Sequence, residues 1–290
     1  MSNNAPADID ALESMLRENS YLADRGLTTA AFIAMQLGRP LLLEGEVGVG
    51  KTELAKTIAS MTSRRLIRLQ CYEGIDTSQA LYEWDYARQM LQIRALSEHE
   101  LIDDHSVDDL FGEKFLIERP LLEAVRAGDD CVLLIDEIDR ADDEFEAFLL
   151  ELLSDFQVTL PEIGTIKATS KPLVFLTSNR TRELHDALKR RCLYHWIDYP
   201  TTEREEEIVR TRIPDVPEVL AAKAVAAVHR LRGLDLVKPP GVAETLDWVA
   251  ALQAIGAENL DRPTITDTLG SVVKDRDDLE IAQARMEEIV

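Results

Sequence analysis

Residues 45–52 read GEVGVGKT, the most informative stretch of the sequence for the fold. It matches G-x-x-x-x-G-K-[ST] at every fixed position and lies between the apolar run 41–43 and a helical pattern over 52–61. Its glycines let successive backbone N–H groups turn inward around a phosphate, and the start of the next helix adds its positive dipole end. Lys51 can reach β- and γ-phosphates, and the Thr52 hydroxyl can bind Mg²⁺. The residues predicted to bind the nucleotide are Gly45, Glu46, Val47, Gly48, Val49, Gly50, Lys51, Thr52 and Glu53.

The alternative for this stretch is a glycine turn that precedes a helix by chance, and the strand–loop–helix setting argues against it. An N-K-x-D motif for guanine is missing from the sequence, which favours ATP over GTP. There is also no G-x-S-x-G motif for nucleophilic chemistry.

A second apolar run, 131–135, stops abruptly at Asp136 and Glu137. Carboxylates at the carboxyl end of a strand lie on the rim where ligands bind in open α/β sheets. We therefore predict that Asp136 holds Mg²⁺ through water and that Glu137 polarises an attacking water as the general base. Alternatively, both acids only cap a helix that begins near Asp142, but the phosphate loop upstream argues against this interpretation. Asp139 is interpreted as structural.

Near-continuous apolar runs predict a parallel sheet that is covered on both faces. Helical patterns separate these runs, including one or two helices over 9–37, so the predicted fold class is α/β. The runs are 41–43, 66–69, 131–135 and 173–177.

The pattern changes after Pro200, where helix follows helix with no convincing strand. Thr202 and Glu205 form a capping-box signature for the first of these helices. The acidic run 203–207 is interpreted as its solvated first turn, where the helix dipole favours negative charge. The predicted domains are an α/β nucleotide-binding domain, 1–200, and a small all-helical domain, 201–290.

Composition narrows the class of protein. Of 290 residues, 46% are hydrophobic and 30% charged, and 54 acidic against 32 basic side chains give a net charge of −22. This charge argues against a broad nucleic-acid or anionic-membrane surface. No apolar run approaches the ~20 residues of a membrane helix, and the first residues do not resemble a secretory signal.

The cysteines and histidines carry no metal-binding pattern. The three cysteines are odd in number and lack ligand spacing, so we expect a reducing, cytoplasmic location. The histidines are scattered and form no H-x-x-x-H pair with a nearby acid, so no metal site built on them is expected. They are Cys71, Cys131 and Cys192, and His99, His105, His185, His195 and His229.

The order of these motifs resembles the AAA+ ATPases, and within them the MoxR family. Three stretches look like the CoxD-type members associated with carbon-monoxide dehydrogenase maturation: 41-LLLEGEVGVGKTELAK-56, 71-CYEGIDTSQALYEWDY-86 and 239-PPGVAETLDW-248. The resemblance covers nearly the whole chain. It implies a three-layer P-loop core of parallel strands followed by a helical lid, with ATP and Mg²⁺ as cofactors.

Two catalytic roles follow from the resemblance. Asn179, at the end of the run from 173, takes the place of sensor 1, which bonds the γ-phosphate and the attacking water. We expect the segment 187–192 to follow a short helix and to precede the strand-like run 195–199. Within it, Arg191 aligns best with the arginine finger that enters a neighbouring subunit's site. Arg190 is the fallback. Without the resemblance, Asn179 is more often a turn residue and the arginines a solvated basic patch.

The family also places two β-hairpins in this type of core. We expect one inserted into the second helix at about 80–95 and the other at about 157–169. They would face a ring's pore or a client, although packing between subunits is as good a role for the aromatic side chains. The apolar residues assigned to the first are Tyr82, Trp84, Tyr86 and Ile93.

The chain departs from the family at the lid. The usual Ser-Pro-Arg pattern, whose arginine is called sensor 2, is replaced by PGVAE at 240–244. Either Arg230 or Lys238 supplies the charge, or the lid responds less directly to the γ-phosphate.

The leading functional hypothesis is an ATPase that remodels or activates a client enzyme. The resemblance implies a homo-oligomeric, hexameric ring, a partner with a von Willebrand A domain, and help in inserting a metal cofactor into a client metalloenzyme. A related alternative is an activase for Rubisco or nitric-oxide reductase. Alternatives from other classes are a nucleic-acid motor or loader, which the charge opposes, and a scaffold that binds ATP without turnover, which the Asp136-Glu137 pair opposes.

Overall fold

The structure, a computed structural model, describes residues 5–98, 109–161 and 163–289. His99 and His105, two of the histidines considered above, lie outside the described residues. The strands are β1 (Leu41–Gly45), β2 (Arg65–Gln70), β3 (Tyr82–Trp84), β4 (Leu116–Glu118), β5 (Cys131–Asp136), β6 (Gln157–Leu160), β7 (Gly164–Lys167), β8 (Leu173–Ser178) and β9 (Leu193–Ile197). The helices are α1 (Ile9–Glu18), α2 (Arg25–Leu37), α3 (Lys51–Met61), α4 (Thr77–Ala80), α5 (Tyr86–Glu98), α6 (Pro120–Ala127), α7 (Asp143–Asp155), α8 (Asp186–Arg191), α9 (Thr202–Arg212), α10 (Glu218–Arg232), α11 (Val242–Ala254), α12 (Arg262–Thr268), α13 (Arg276–Ala284) and α14 (Met286–Ile289).

Five parallel strands form the central sheet in the order β2-β5-β8-β1-β9. Every residue of β1, β5 and β8 is buried, which is why these strands are continuous apolar runs. The prediction of burial on both faces is wrong for β2, because this strand lies at the edge of the sheet. Its arginines, Arg65 and Arg68, are exposed.

Helices cover both faces of the sheet, giving three layers. Because side chains alternate along a strand, Leu42 packs in one core while Leu41 and Leu43 pack in the other. The first core receives α6 and α7, and the second receives α1, α2 and α3. The predicted α/β class and layered architecture are confirmed.

One of the two predicted hairpins is present. β6 and β7 pair as antiparallel strands within 157–169. The other is wrong in form, because β3 pairs with the distant β4 and the residues after it form α5. Tyr86 and Ile93 therefore lie in a helix, which suits a segment rich in Ala, Arg, Gln, Met and Leu.

Beyond Ile197, all the regular elements of the described residues are helices, packed around a third core that contains the fully buried Trp248. The first helix is capped by Thr201, whose hydroxyl accepts a bond from Arg204 N–H, and not by Thr202. The prediction that 203–207 is a solvated acidic turn is wrong for Glu205, which is fully buried. Its neighbours in α10 and α11 are distant in sequence, so the local pattern could not reveal its burial.

No helix in the described part of the chain has both the length and the apolar character that crossing a membrane requires.

Candidate active site

The phosphate loop joins the carboxyl end of β1 to the start of α3. Gly50 caps α3 with φ +95°, in the left-handed region that favours glycine. The loop therefore ends with the first N–H groups of the helix free of intrahelical partners, as an anion site requires.

Lys51 lies at the base of this loop, with 6% of its surface exposed. Its Nζ donates to the carbonyl oxygens of Gly45 at 2.8 Å and Glu46 at 2.6 Å. Burial lowers the pKa of Lys51 to about 8, against the opposing charges of nearby acids such as Asp139. A buried ammonium at the start of a helix, where the first N–H groups lack intrahelical partners, fits a polyphosphate, whose charge would favour the protonated amine.

The structure brings together the two residues predicted to hold metal. Thr52 Oγ1 donates to Asp136 Oδ1 at 2.9 Å, and Thr177 Oγ1 donates to the same oxygen at 2.6 Å. The other oxygen, Oδ2, accepts bonds from Arg68 Nε at 2.9 Å and Nη2 at 2.6 Å. A hydroxyl beside a carboxylate is a set of hard oxygen donors, so these residues fit Mg²⁺.

Glu137 follows Asp136 in an unusual backbone conformation. Its φ of +56° lies in the left-handed region, which is costly for a residue with a side chain and is often found at functional sites. Glu137 N–H donates to Thr177 Oγ1 at 2.9 Å, and its carboxylate pairs with Arg140 Nε at 2.8 Å. Neither acid caps α7, because the side chain of Asp142 does so.

Asn179 lies half-buried at the end of β8 and faces the same cavity as Glu137. Its backbone N–H donates to Asp139 Oδ1 at 3.2 Å. Asp139 is buried and also accepts bonds from the N–H and hydroxyl of Thr181. These contacts fix the turn after β8, which agrees with the structural interpretation of Asp139.

Two adjoining cavities form a trough along the loop. The polar one, of about 230 Å³, contains the predicted residues from Val47 to Glu53 together with Asp136, Glu137 and Asn179. The second, of about 200 Å³, shares part of the loop and is lined further by Ser20, Tyr21, Leu22, Ile208, Arg212, Val242 and Leu246. A trough with one polar and one mainly apolar end suits a nucleotide, with phosphates at the first end and the base at the second.

Gly45 and Glu46 line neither cavity and contribute through their carbonyl oxygens, which accept from Lys51. Sequence reasoning missed Thr177, Arg68 and the side chains of the apolar end. Thr177 could have been found, because it lies two residues before Asn179 at a strand end, but no motif marks the others.

Arg191 lies far from the loop of its own chain. It is the last residue of α8, so the arginine pair belongs to the short helix instead of following it. The next strand, β9, begins beside Leu41 at the amino end of β1, whereas the loop leaves the carboxyl end. At ~3.3 Å per residue, the length of β1 separates the two ends by roughly 15 Å.

The two suggested replacements for the lid arginine are not at the site. Arg230 Nη1 donates to the carbonyl of Ile289 at 2.8 Å, and Lys238 Nζ pairs with Asp275 at 3.0 Å. Neither residue lines the trough.

Comparisons with known proteins show which family the chain belongs to. The sequence profile of the family described as "AAA domain (dynein-related subfamily)" matches residues 40–192, more than half of the chain. The gas vesicle ATPase GvpN of Haloferax mediterranei is 26% identical over 243 residues, which cover 80% of this chain and 67% of GvpN. The chloroplastic chaperone protein ClpB3 of Arabidopsis thaliana is 28% identical over 179 residues, covering 60% of this chain and 15% of ClpB3.

Among solved structures, a Thermotoga maritima RuvB mutant is similar with a TM-score of 0.50 and 19% identity, covering 95% of this chain and 75% of that one. This likeness supports the fold alone. The profile match covers both the phosphate loop and the acidic strand end, and it supports the predicted ATPase class. The chain therefore belongs to the AAA domain family, dynein-related subfamily.

Proposed function

We propose that the chain binds and hydrolyses ATP in the trough along residues 47–53. The observation that carries this proposal is the contact of Thr52 with Asp136 at 2.9 Å, which brings the phosphate loop to the acidic strand end. Lys51 lies on the loop side of the same cavity, and Glu137 lies on the other. A cavity between a cationic loop and a carboxylate base fits phosphoryl transfer to water.

Each residue has a distinct role in this proposal. Lys51 and the backbone N–H groups of the loop bind the phosphates, and Thr52 and Asp136 hold Mg²⁺, which neutralises phosphate charge when bound. Glu137 accepts a proton from the attacking water, and Asn179 orients that water. The pairing of Glu137 with Arg140 must loosen for Glu137 to reach the water.

We further propose a homo-oligomeric, hexameric ring in which Arg191 acts on the neighbouring subunit. The exposed position of Arg191 and its distance from the loop of the same chain support action in trans. A guanidinium suits the charge spread over the γ-phosphate, and such fingers are worth ~10³–10⁵ in rate. Arg190, its exposed neighbour, is the second candidate.

The biological role proposed here is remodelling of a client in the manner of the MoxR ATPases, in the cytoplasm. In the specific form of this role, the protein acts with a partner that has a von Willebrand A domain and helps to insert a metal cofactor into a client metalloenzyme. The alternative is an activase for Rubisco or nitric-oxide reductase. The stretches 71–86 and 239–248 support a MoxR-type protein, and one of the similar proteins, ClpB3, is a chaperone. We also propose that 1–200 and 201–290 are separate domains, because the last strand ends at Ile197.

The role of Glu137 tests the ATPase proposal directly. For Glu137→Gln we expect unchanged ATP binding and a loss of turnover of at least about a hundredfold, since a general base contributes ~10²–10⁴ in rate. The measurements are ATP affinity by calorimetry and phosphate release at saturating ATP. Glu151→Gln, an exposed acid on α7, is the matched control and keeps full activity. Equal rates for the wild type and Glu137→Gln would remove Glu137 from the mechanism.

A nucleic-acid motor would show DNA-stimulated hydrolysis in the same phosphate assay. The net charge of −22 predicts no stimulation.

A further inference from the structure

The helices that follow Ile197 form the lid. The main chain of the lid contacts the phosphate loop at the start of α11. Ala243 N–H donates to the carbonyl oxygen of Gly48 at 3.1 Å. A Cβ on Gly241 would lie 2.9 Å from the Cα of Gly48 and would collide with the carbonyl oxygen of Val47. Two glycines thus face each other where the family pattern carries a lid arginine, and no side chain fits between the backbones.

The charges that the lid brings to the trough are unevenly distributed. At the polar end, beside Asp136 and Glu137, the lining residue from the lid is Ala243, which carries no charge. At the apolar end, Arg212 is the one basic residue among the described residues that line the cavity. Its Nη2 donates to Glu53 Oε1 at 3.0 Å.

The position of Glu53 shows which part of a nucleotide lies near Arg212. Glu53 follows Thr52 in the first turn of α3 and lines both cavities, so it lies where the polar cavity meets the apolar one. With the terminal phosphate between Lys51 and Glu137, the ribose and the α-phosphate lie toward Glu53. A guanidinium has five N–H donors, so its bond to Glu53 is compatible with a further bond to a phosphate or ribose oxygen.

The Arg212–Glu53 pair itself contributes little to stability. Both side chains are about one-third exposed, and ion pairs of this kind are worth about 0–1 kcal/mol. Removing Arg212 is therefore expected to leave the fold intact, and a change in nucleotide binding would report on contact with the ligand.

We propose that Arg212 is the lid residue that contacts the nucleotide, and that it binds the ribose and α-phosphate end instead of the γ-phosphate. This inference rests on the proposed function. It implies that the lid binds a nucleoside diphosphate and a triphosphate equally well, so that recognition of the γ-phosphate depends on the core and on the neighbouring subunit.

The experiment compares binding of Mg²⁺–ADP and of the non-hydrolysable analogue Mg²⁺–AMP-PNP to the full chain by calorimetry. For Arg212→Ala we expect both affinities to fall by the same factor, roughly tenfold, as for the loss of a hydrogen bond to a charged group. Arg212→Lys should recover part of the loss for both ligands. Arg210→Ala, which removes a neighbouring exposed arginine paired with Glu218, is the control and should bind as the wild type does.

Three results would overturn the inference. Weaker binding of AMP-PNP alone would mean that Arg212 senses the γ-phosphate. If the wild type binds both ligands and Arg212→Ala binds them with the same affinities, this inference is overturned and the proposed function stands. A wild type that binds neither ligand would overturn both.

A second variant tests the seating of the lid independently of charge. In Gly241→Ala the added methyl group displaces the start of α11 from the loop, so both affinities should fall together. Gly270→Ala, where a Cβ meets no atom within 4 Å, is the matched control. Unchanged affinities in Gly241→Ala would contradict the close seating of the lid on which the inference depends.

Discussion

Asp136 carries its charge in a position almost closed to solvent, with 2% of its surface exposed. Thr52 and Thr177 bond one carboxylate oxygen, and Arg68 bonds the other through two nitrogen atoms. Charge-assisted bonds of this kind offset the cost of burying a carboxylate. The side chain is therefore held in one orientation, with Oδ1 turned toward the phosphate loop.

Lys51 makes nucleotide binding depend on pH. Because burial lowers its pKa to about 8, the free protein loses the Lys51 charge as the pH rises above that value. A bound triphosphate stabilises the charged amine, so binding takes up a proton at alkaline pH. We expect ATP affinity to fall by about a factor of two between pH 7 and pH 8, and then by at most roughly tenfold per pH unit toward pH 9.5.

The measurement is calorimetry in buffers of different ionisation enthalpy, which reports the proton taken up. Lys51→Met should bind weakly at every pH and show no proton uptake. The cysteine thiols do not contribute to the measured proton uptake, because burial raises the pKa of Cys71 and Cys192 to about 12 and that of Cys131 to about 11. A wild-type affinity that does not change up to pH 9.5 would contradict the assigned role of Lys51.

At the scale of the elements, a buried ionic network joins the first three lid helices. Glu205 of α9 accepts bonds from Arg232 of α10, at 2.6 and 2.8 Å, and from the hydroxyl of Thr245 of α11, at 2.6 Å. Arg232 also donates to the carbonyl of Pro240 and stacks on the Tyr199 ring at 4.5 Å. The network therefore positions the segment that precedes the start of α11.

Breaking this network should destabilise the lid strongly. Glu205→Ala leaves the guanidinium of Arg232 buried without its partner, and loss of one member of a buried pair typically costs about 3–5 kcal/mol. We expect a large fall in the free energy of unfolding, measured with urea, and weaker nucleotide binding through displacement of α11. Glu203→Ala, an exposed acid on the same helix, should change stability by less than about 1 kcal/mol. Equal stability of the two variants would contradict the importance of the network.

At the scale of the whole molecule, the two halves of the proposed catalytic machinery lie at opposite ends of the sheet. The loop, Asp136 and Glu137 lie at the carboxyl ends of the strands, and Arg191 lies near the amino end of β1. The nitrogen Nη2 of Arg39 lies 3.2 Å from the carbonyl oxygens of both Arg190 and Arg191, which anchors this corner. A head-to-tail contact between subunits, repeated around a ring, could unite the two ends.

Mixing two inactive variants tests this arrangement. Arg191→Ala and Glu137→Gln should each lack turnover alone, whereas equal amounts mixed should regain activity. In randomly mixed rings, about a quarter of the sites combine Glu137 with Arg191 from the neighbour, so we expect about a quarter of the wild-type rate. The measurement is phosphate release after co-assembly.

Arg190→Ala is the control for the finger. It should retain most of the activity by itself and needs no complementation. No recovery in the mixture of Arg191→Ala and Glu137→Gln would contradict action in trans, and an inactive Arg190→Ala would transfer the role to Arg190.

The sheet and the phosphate end of the site were predictable from the amino-acid sequence. Buried parallel strands leave unbroken apolar runs, and the loop after β1 needs glycines, a lysine and a threonine in a set order, so 41–52 and 131–137 were recognisable locally. The hairpin that the family resemblance placed at about 80–95 was wrong, because β3 pairs with β4, far along the chain, and residues 86–98 form a helix. Reasoning from the local pattern failed for Glu205, because a glutamate in a first helical turn is ordinarily solvated.

The folded structure was needed to show which distant residues meet. Arg68 reaches Asp136 because β2 lies beside β5, and Arg212 reaches Glu53 because the lid packs against the loop. It also placed Gly241 against Gly48 and separated Arg191 from the loop of its own chain. Such contacts depend on strand order and helix packing, which are set by the burial of the whole apolar surface. A local sequence pattern reports the conformation of neighbouring residues and carries no record of these distant partners.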